Sequence, residues 1–239
     1  MGYKLLTCGE CAVTVEFSRD MDPHAGTAAV MLAGALRGQN VDGICEIIPT
    51  YRSVTVCFDP LAISYKVIKK WISRCMRHHT ATAGKRIRRF YIPVCYGGQY
   101  GIDLDYIAQR TGLAPREVVR RHISREYPIN MIGFLPGFPY LSGMDPTIAV
   151  PRLENPREKI PAGSVGIGGE QTGVYPISSP GGWRLIGRTP VRLYDPGRTP
   201  SVLYEAGDWI RFYAVSEQEY RKIEVAVHAG TYAVKTEEV

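Results

Sequence analysis

The residues best equipped for chemistry lie between 130 and 190. The densest run is Ile160-Pro161-Ala162-Gly163-Ser164-Val165-Gly166-Ile167-Gly168-Gly169-Glu170-Gln171-Thr172-Gly173-Val174-Tyr175-Pro176, continued by Pro180-Gly181-Gly182-Trp183-Arg184-Leu185-Ile186-Gly187-Arg188. Glycine serves a backbone that takes positive φ or approaches another group closely, and proline fixes φ where a loop must not wander. The Val, Ile, Leu and Tyr stretches between these breakers read as short strands. Ser164, Gln171, Thr172, Ser178 and Ser179 sit at the corners as candidate hydrogen-bonding groups. Arg152, Arg157, Arg184 and Arg188 flank the same loops. A guanidinium fork recognises carboxylate or phosphate through paired hydrogen bonds. Phe138, Tyr140, Tyr175 and Trp183 are candidate pocket walls, while Phe134 is assigned to the barrel core. This is the composition of a rigid β-rich shell with a polar lining, and it suits tight barrel turns as well as a ligand site.

Other chemistries are less well supported. The glycines of 166–173 lack the Gly-Lys-Ser/Thr ending of a P-loop, and no helix follows them, so neither an ATP cradle nor a dinucleotide fingerprint is read there. A nest of backbone amides for an anion remains open. His122 is the side chain of this region that titrates near neutral pH, and it is carried as a site candidate, although its basic helix suggests an exposed or capping role. His228 falls in the tail, and His78-His79 end a helix, where the helix C-terminus explains them. Asp145 and Glu170 are the nearest carboxylates, and nothing pairs them. Cys8-Gly9-Glu10-Cys11 has CxxC spacing without a second pair to complete a zinc site, so no metal is assigned. The cysteines are read as small buried thiols, with Cys8 and Cys11 on a strand.

These residues must be positioned by a chain of 239 residues, long enough for two domains. Its charge of +6 reads as mild and dispersed, densest at Lys85-Arg86-Ile87-Arg88-Arg89 and on the helix of Arg116, Arg120, Arg121 and Arg125. Neither cluster carries the aromatics of a nucleic-acid binder. There is no long apolar stretch for a membrane span and no secretory leader pattern, which makes the cytoplasm the expected location.

The first domain, residues 1–82, is expected to be a small α+β unit. Its elements are two strands within 3–17 turning at Gly9, a helix from Pro23 to Gly38, a hairpin of 44–49 and 53–58, and an amphipathic helix over about 64–78. A shift to small and basic residues at 80–89 marks the boundary. The second domain, residues 83–239, opens with a strand at 90–96. Helices follow at 103–110, with Asp103 as N-cap and Gly112 as stop, and at 115–123, with Pro115 at N1. Short strands then run to about 214, ending in Trp209-Ile210-Arg211-Phe212-Tyr213. Residues 216–239 begin helically and end as a loosely ordered tail.

The ordered motifs Gly133-Phe134-Leu135-Pro136-Gly137-Phe138-Pro139-Tyr140-Leu141, the Pro-Arg pairs at 151–152 and 156–157, and Pro161-Ala162-Gly163-Ser164-Val165-Gly166-Ile167 resemble the family known as allophanate hydrolase subunit 1, or KipI. The B-type subunit of bacterial ATP-dependent 5-oxoprolinase is among its members. The resemblance also covers Tyr96-Gly97-Gly98 and the helix-ending His122, and departs where Gly9-Glu10 stands for the usual Gly-Asp. It implies a cyclophilin-like β-barrel over 90–215 behind the α+β domain. It further implies two partners, a C-type subunit of the allophanate hydrolase subunit 2 type and an A-type subunit of the LamB/YcsF type. Such a complex opens 5-oxo-L-proline to glutamate with ATP, and the chain alone is expected to be inactive. On this reading Gln171, Thr172, Ser179 and His122 are candidate substrate contacts, Arg157 or Arg188 holds a carboxylate or phosphate, and Tyr175 and Trp183 wall the site. No nucleophile is named. Other members inhibit a sporulation histidine kinase, so that activity, or a purely scaffolding role beside the C-type partner, stands as the alternative.

Overall fold

The structure is a computed structural model that describes residues 2–20, 23–77 and 87–239. They fall into two compact units, Met1–Arg86 and Ile87–Val239. His78-His79 and the linker up to Arg86 lie outside the described residues.

The first unit contains β1 (Lys4–Thr7), β2 (Ala12–Glu16), α1 (Pro23–Arg37), β3 (Ile44–Pro49), β4 (Ser53–Phe58) and α2 (Tyr65–Arg77). Its antiparallel sheet has the order β1-β2-β4-β3, and Gly9 turns β1 into β2 at a φ of 66°. Alternation places Val13, Val15, Val54, Val56 and Phe58 on the face that packs against Ala25, Ala29, Leu32 and Leu36 of α1 and Ile68, Trp71 and Ile72 of α2. Both helices therefore cover one face of the sheet. The cysteines depart from the expectation of small buried thiols. Cys8 and Cys11 sit in the β1–β2 turn rather than on a strand, and they and Cys45 are exposed, whereas Cys75 and Cys95 are buried.

The second unit opens with β5 (Arg88–Tyr96), α3 (Leu104–Thr111), α4 (Pro115–Ile123), β6 (Tyr127–Ile132) and β7 (Pro139–Leu141), then one 3-10 turn at Pro146–Ile148. There follow β8 (Arg157–Ile160), β9 (Ser164–Gly168), β10 (Gln171–Val174), β11 (Ser179–Gly181), β12 (Arg184–Arg188), β13 (Trp209–Ala214), α5 (Glu217–His228) and β14 (Thr236–Glu238). The main sheet runs β10-β9-β12-β5-β13-β6-β7, and β7 returns against β10 to bring the barrel close to closure. Strand β5 joins its parts, pairing with β14, β13 and β12 at successive stretches; of these, β13 is parallel to it. A separate ribbon, β8-β11, lies off this sheet. Ile92, Val94, Val165, Ile167, Val174, Ile186, Ile210 and Phe212 fill the barrel, so any ligand must be met at its rim. This is the expected α+β unit followed by a barrel.

Gly112 ends α3 in the left-handed region (φ 70°) with its N–H on the Ala108 carbonyl, and Pro115 stands at N1 of α4. Three expectations change. Asp103 makes no side-chain cap to α3, because its carboxylate is drawn to β12. The tail is ordered: Ser216 caps α5, and β14 extends the sheet along β5. Phe134, expected in the core, is 64% exposed with a φ of 64°. Among the described residues no helix is long and apolar enough to cross a membrane.

Candidate functional site

Strands β9 and β10 form a hairpin that turns at Gly169-Glu170, so Gln171, opposite Gly168, is the first residue to emerge from the turn. Three glycines here, Gly166, Gly168 and Gly173, face one side chain. A Cβ on Gly168 would stand 2.5 Å from the Trp183 indole, and one on Gly173 would meet the same ring at 3.1 Å and the Pro139 carbonyl at 2.9 Å. The Gly-rich run is thus a slot for Trp183. Around Gly166, Gly168 and Gly173 the space is filled with Trp183, while Gly169 at the hairpin turn takes a φ of 68° with open space beside it.

Phe138 is the hub of the resulting aromatic cluster. Its ring meets Trp183 at 5.4 Å and Tyr175 at 5.3 Å, both edge to face, and Tyr140 at 5.0 Å. Exposed Phe134 packs its ring perpendicular to Phe138 at 5.7 Å. Two guanidiniums border the cluster. That of exposed Arg152 lies 5.6 Å over the Trp183 ring and reaches the Gln171 Oε1 at 3.5 Å. Arg157 donates to Asp103 at 2.8 Å and to the Trp183 carbonyl at 3.4 Å. Asp103 also accepts the Leu185 N–H at 2.7 Å, and Arg184 lies 3.8 Å away with its guanidinium over Tyr106. Burial raises the Tyr175 and Tyr140 phenols; a hydrogen bond from the Trp183 backbone, then Arg152 and Arg157, oppose this at Tyr175, and Arg152 opposes it at Tyr140. Both tyrosines therefore remain neutral hydroxyls at the edge of a cationic patch.

Of the expected contacts, the structure brings Gln171, Arg157, Tyr175 and Trp183 together. Tyr175 and Trp183 are nearly buried, so they form the floor of the rim rather than open walls. Ser179 sits on β11 opposite Ile160, its hydroxyl turned onto the Pro180 carbonyl. Arg188 is elsewhere: it donates to the Ala162 carbonyl at 2.8 Å and acts on Tyr220 of α5.

His122 and Thr172 are corrected most. His122 is fully buried, stacked on Phe212 at 4.9 Å. Its Nδ1 is 2.8 Å from the Tyr96 hydroxyl and its Nε2 is 2.9 Å from the Thr172 hydroxyl, which bonds the Gly166 carbonyl at 3.0 Å. Burial lowers its pKa to about 3. The imidazole is a neutral strut inside the barrel, and the Thr172 hydroxyl is committed to it. Sequence reasoning missed Asp103 as an organiser and Tyr96 as a partner, since their contacts lie 82 and 26 residues away along the chain.

The His122 imidazole is sequestered inside the barrel, and the Arg152 guanidinium and the Gln171 carboxamide reach the rim surface. An exposed guanidinium beside a carboxamide suits a small, oxygen-rich anion, while Arg157 is paired with Asp103 and Tyr175 lies beneath the surface. Residues 3–204 match the family described as carboxyltransferase domain, subdomain C and D. The chain is 40% identical to the B-type subunit of 5-oxoprolinase from Bacillus subtilis (strain 168) over 229 residues, covering 91% of this chain and 95% of that protein. The crystal structure of TTHA0988 superposes with a TM-score of 0.77 at 32% identity, covering 86% of this chain and 40% of that one. The chain thus spans less than half of the TTHA0988 polypeptide. K. lactis urea amidolyase shares the fold, with a TM-score of 0.79 at 22% identity over 99% of this chain and 16% of that one.

Proposed function

The chain belongs to the family of carboxyltransferase domains, subdomain C and D, and from that premise we propose that it serves as the B-type subunit of an ATP-dependent 5-oxoprolinase. In this reading it opens 5-oxo-L-proline to L-glutamate only together with partners, an A-type subunit of the LamB/YcsF type and a C-type subunit of the allophanate hydrolase subunit 2 type. The observation that carries the proposal is the near full-length identity of 40% with the Bacillus subtilis relative.

The rim chemistry supports it. 5-Oxoproline offers one carboxylate and one lactam amide. Arg152, exposed and 5.6 Å over the Trp183 ring, presents the fork for the carboxylate, and the Gln171 carboxamide beside it is the partner for the lactam N–H and C=O. Asp103 occupies one side of Arg157, which leaves it as a second, weaker positive partner. Tyr140 stays a neutral phenol, and Tyr175 supports the floor from beneath. An unactivated lactam is a poor electrophile, and ATP would supply the activation by phosphorylating its oxygen. The glycine run lacks a P-loop ending and packs Gly168 and Gly173 against Trp183, which supports placing ATP on one of the partners. What this chain contributes is binding and orientation.

The test is ATP-dependent glutamate release from 5-oxo-L-proline by the A-type and C-type partners, with and without this chain. Full activity is expected only in the complete mixture, and equal activity from the two partners alone overturns the proposal. Within the active mixture, Arg152→Gln should raise KM about tenfold or more, as expected for losing a charged hydrogen-bonding pair, with a smaller effect on kcat.

A further inference from the structure

Helix α2 holds most of the molecule's charge excess. The chain carries 29 Lys and Arg against 23 Asp and Glu, a net +6. Lys66, Lys69, Lys70, Arg74 and Arg77 all lie on α2, whose sequence YKVIKKWISRCMR contains no acid, so this one helix carries five uncompensated positive charges. The charge is concentrated, contrary to the dispersed pattern expected from the sequence.

All five cations are exposed. Spacings of three and four residues align them in a stripe roughly 16 Å long. Among the described residues none of the five forms an ion pair; Lys69 lies 5.5 Å over the Tyr65 ring. The barrel treats its cations differently, pairing Arg88 with Asp208 at 2.7 Å, Arg121 with Glu117 at 2.8 Å and Arg221 with Glu217. Like charges at such spacings weaken a helix. Here the opposite face, Ile68, Trp71, Ile72 and Cys75, is buried and holds α2 in place. An open groove of about 890 Å³ follows the charged face, lined also by Tyr65, Val67, Ser73 and the 5% exposed edge of Trp71. Val67 is 50% exposed in it, and Leu61, just before the helix, is 96% exposed.

We infer that this face is the docking surface for an acidic segment of a partner protein. A small anion is a poor fit, because cations strung over such a length cannot converge on one phosphate. A nucleic-acid strand would need rings to stack on, yet Lys69 covers Tyr65 and Trp71 is buried. A membrane surface calls for a broad apolar face, and only Val67 and Leu61 project. A cationic stripe with isolated apolar anchors is the mixed surface that protein interfaces use, and its charge would steer association.

The experiment uses the full chain and a fluorescein-labelled Glu-rich helical peptide, with single-stranded oligo(dT) and phosphatidylserine vesicles as competing probes. The peptide should bind in a salt-sensitive manner. The triple variant Lys66→Gln/Lys70→Gln/Arg74→Gln should weaken it about tenfold or more while Tm holds or rises, since repulsion along α2 is relieved. A control, Lys4→Gln/Lys159→Gln/Lys222→Gln, removes the same charge elsewhere and should leave binding unchanged. Equal weakening by the control triple, no binding of the peptide, or tighter binding of oligo(dT) or vesicles overturns the inference.

Discussion

His122 holds its two ring nitrogens in different bonds, and the far end of the chain of hydroxyls decides which is which. The Thr172 hydroxyl has one proton, and it goes to the Gly166 carbonyl. Toward His122 it can only accept, so Nε2 carries the proton and Nδ1 accepts from Tyr96, whose phenol burial holds well above its usual range. A second proton on the ring would set Nδ1–H against the Tyr96 O–H. The folded pKa of about 3 lies below the ordinary 6.5, so between those values the unfolded chain binds a proton that the folded one refuses. Stability from this residue is present above about pH 6.5 and is lost as pH falls toward 3. Urea unfolding at pH 7 and pH 4.5 should therefore show a loss in wild type about 2 kcal/mol larger than in His122→Gln. Parallel losses in the two proteins would sink this account. Thr172→Val, which strands both the imidazole N–H and the carbonyl, should cost about 2–4 kcal/mol, and Thr172→Ser about 1 kcal/mol or less.

At the scale of elements, the β9–β10 hairpin and β12 are fitted to one another through Trp183. Gly168→Ala would drive a methyl into the indole at 2.5 Å, and should cost about 1–3 kcal/mol with a shift in tryptophan emission. Gly34, inside α1 with nothing within 4 Å of its absent Cβ, gives the opposite sign: Gly34→Ala should stabilise by about 0.5–1 kcal/mol. Denaturant midpoints of the two variants that move in the same direction would contradict this reading. The same contrast explains what was legible in the sequence. Periodicity located α1, α2 and the β3–β4 hairpin because their signals are local: apolar faces at helical spacing, alternation, and breakers at Gly38 and Asp59-Pro60. The glycine run announced close packing without naming its partner. Phe134 was misplaced because an aromatic residue among breakers looks like core, although its left-handed backbone turns it outward. Arg157 was read as an arginine flanking the loops, but its Asp103 partner could not be read, because that carboxylate sat in a convincing N-cap position. The tail's β14 could not be read, since a three-residue strand, Thr236–Glu238, has no period of its own and exists only through β5.

For the whole molecule, each unit closes its core with its own residues. The first buries Val13, Val15, Leu32, Val54, Val56, Ile68 and Trp71 together, and the second buries Ile92, Val94, Tyr127, Ile129, Val165, Ile186 and Phe212. Among the described residues no strand of one unit completes the sheet of the other. Burying a large aliphatic or aromatic side chain contributes about 1.5–3 kcal/mol before chain entropy is charged against it. The larger barrel core, which draws on β5, β6, β9, β12 and β13, should thus sustain a fold alone. Residues 87–239 expressed without the first unit are expected to keep the near-UV circular dichroism of the barrel tyrosines and to melt cooperatively. That fragment must include β14, because its pairing covers the Arg88–Phe90 end of β5; ending the chain at 233 should lower Tm by several degrees. A fragment 87–239 that lacks a cooperative transition would mean that the barrel depends on the first unit for its folding. If it folds, the fragment separates two properties in one preparation. The rim chemistry of Arg152 and Gln171 should be retained, and the acidic-peptide binding assigned to α2 should be lost with the first unit.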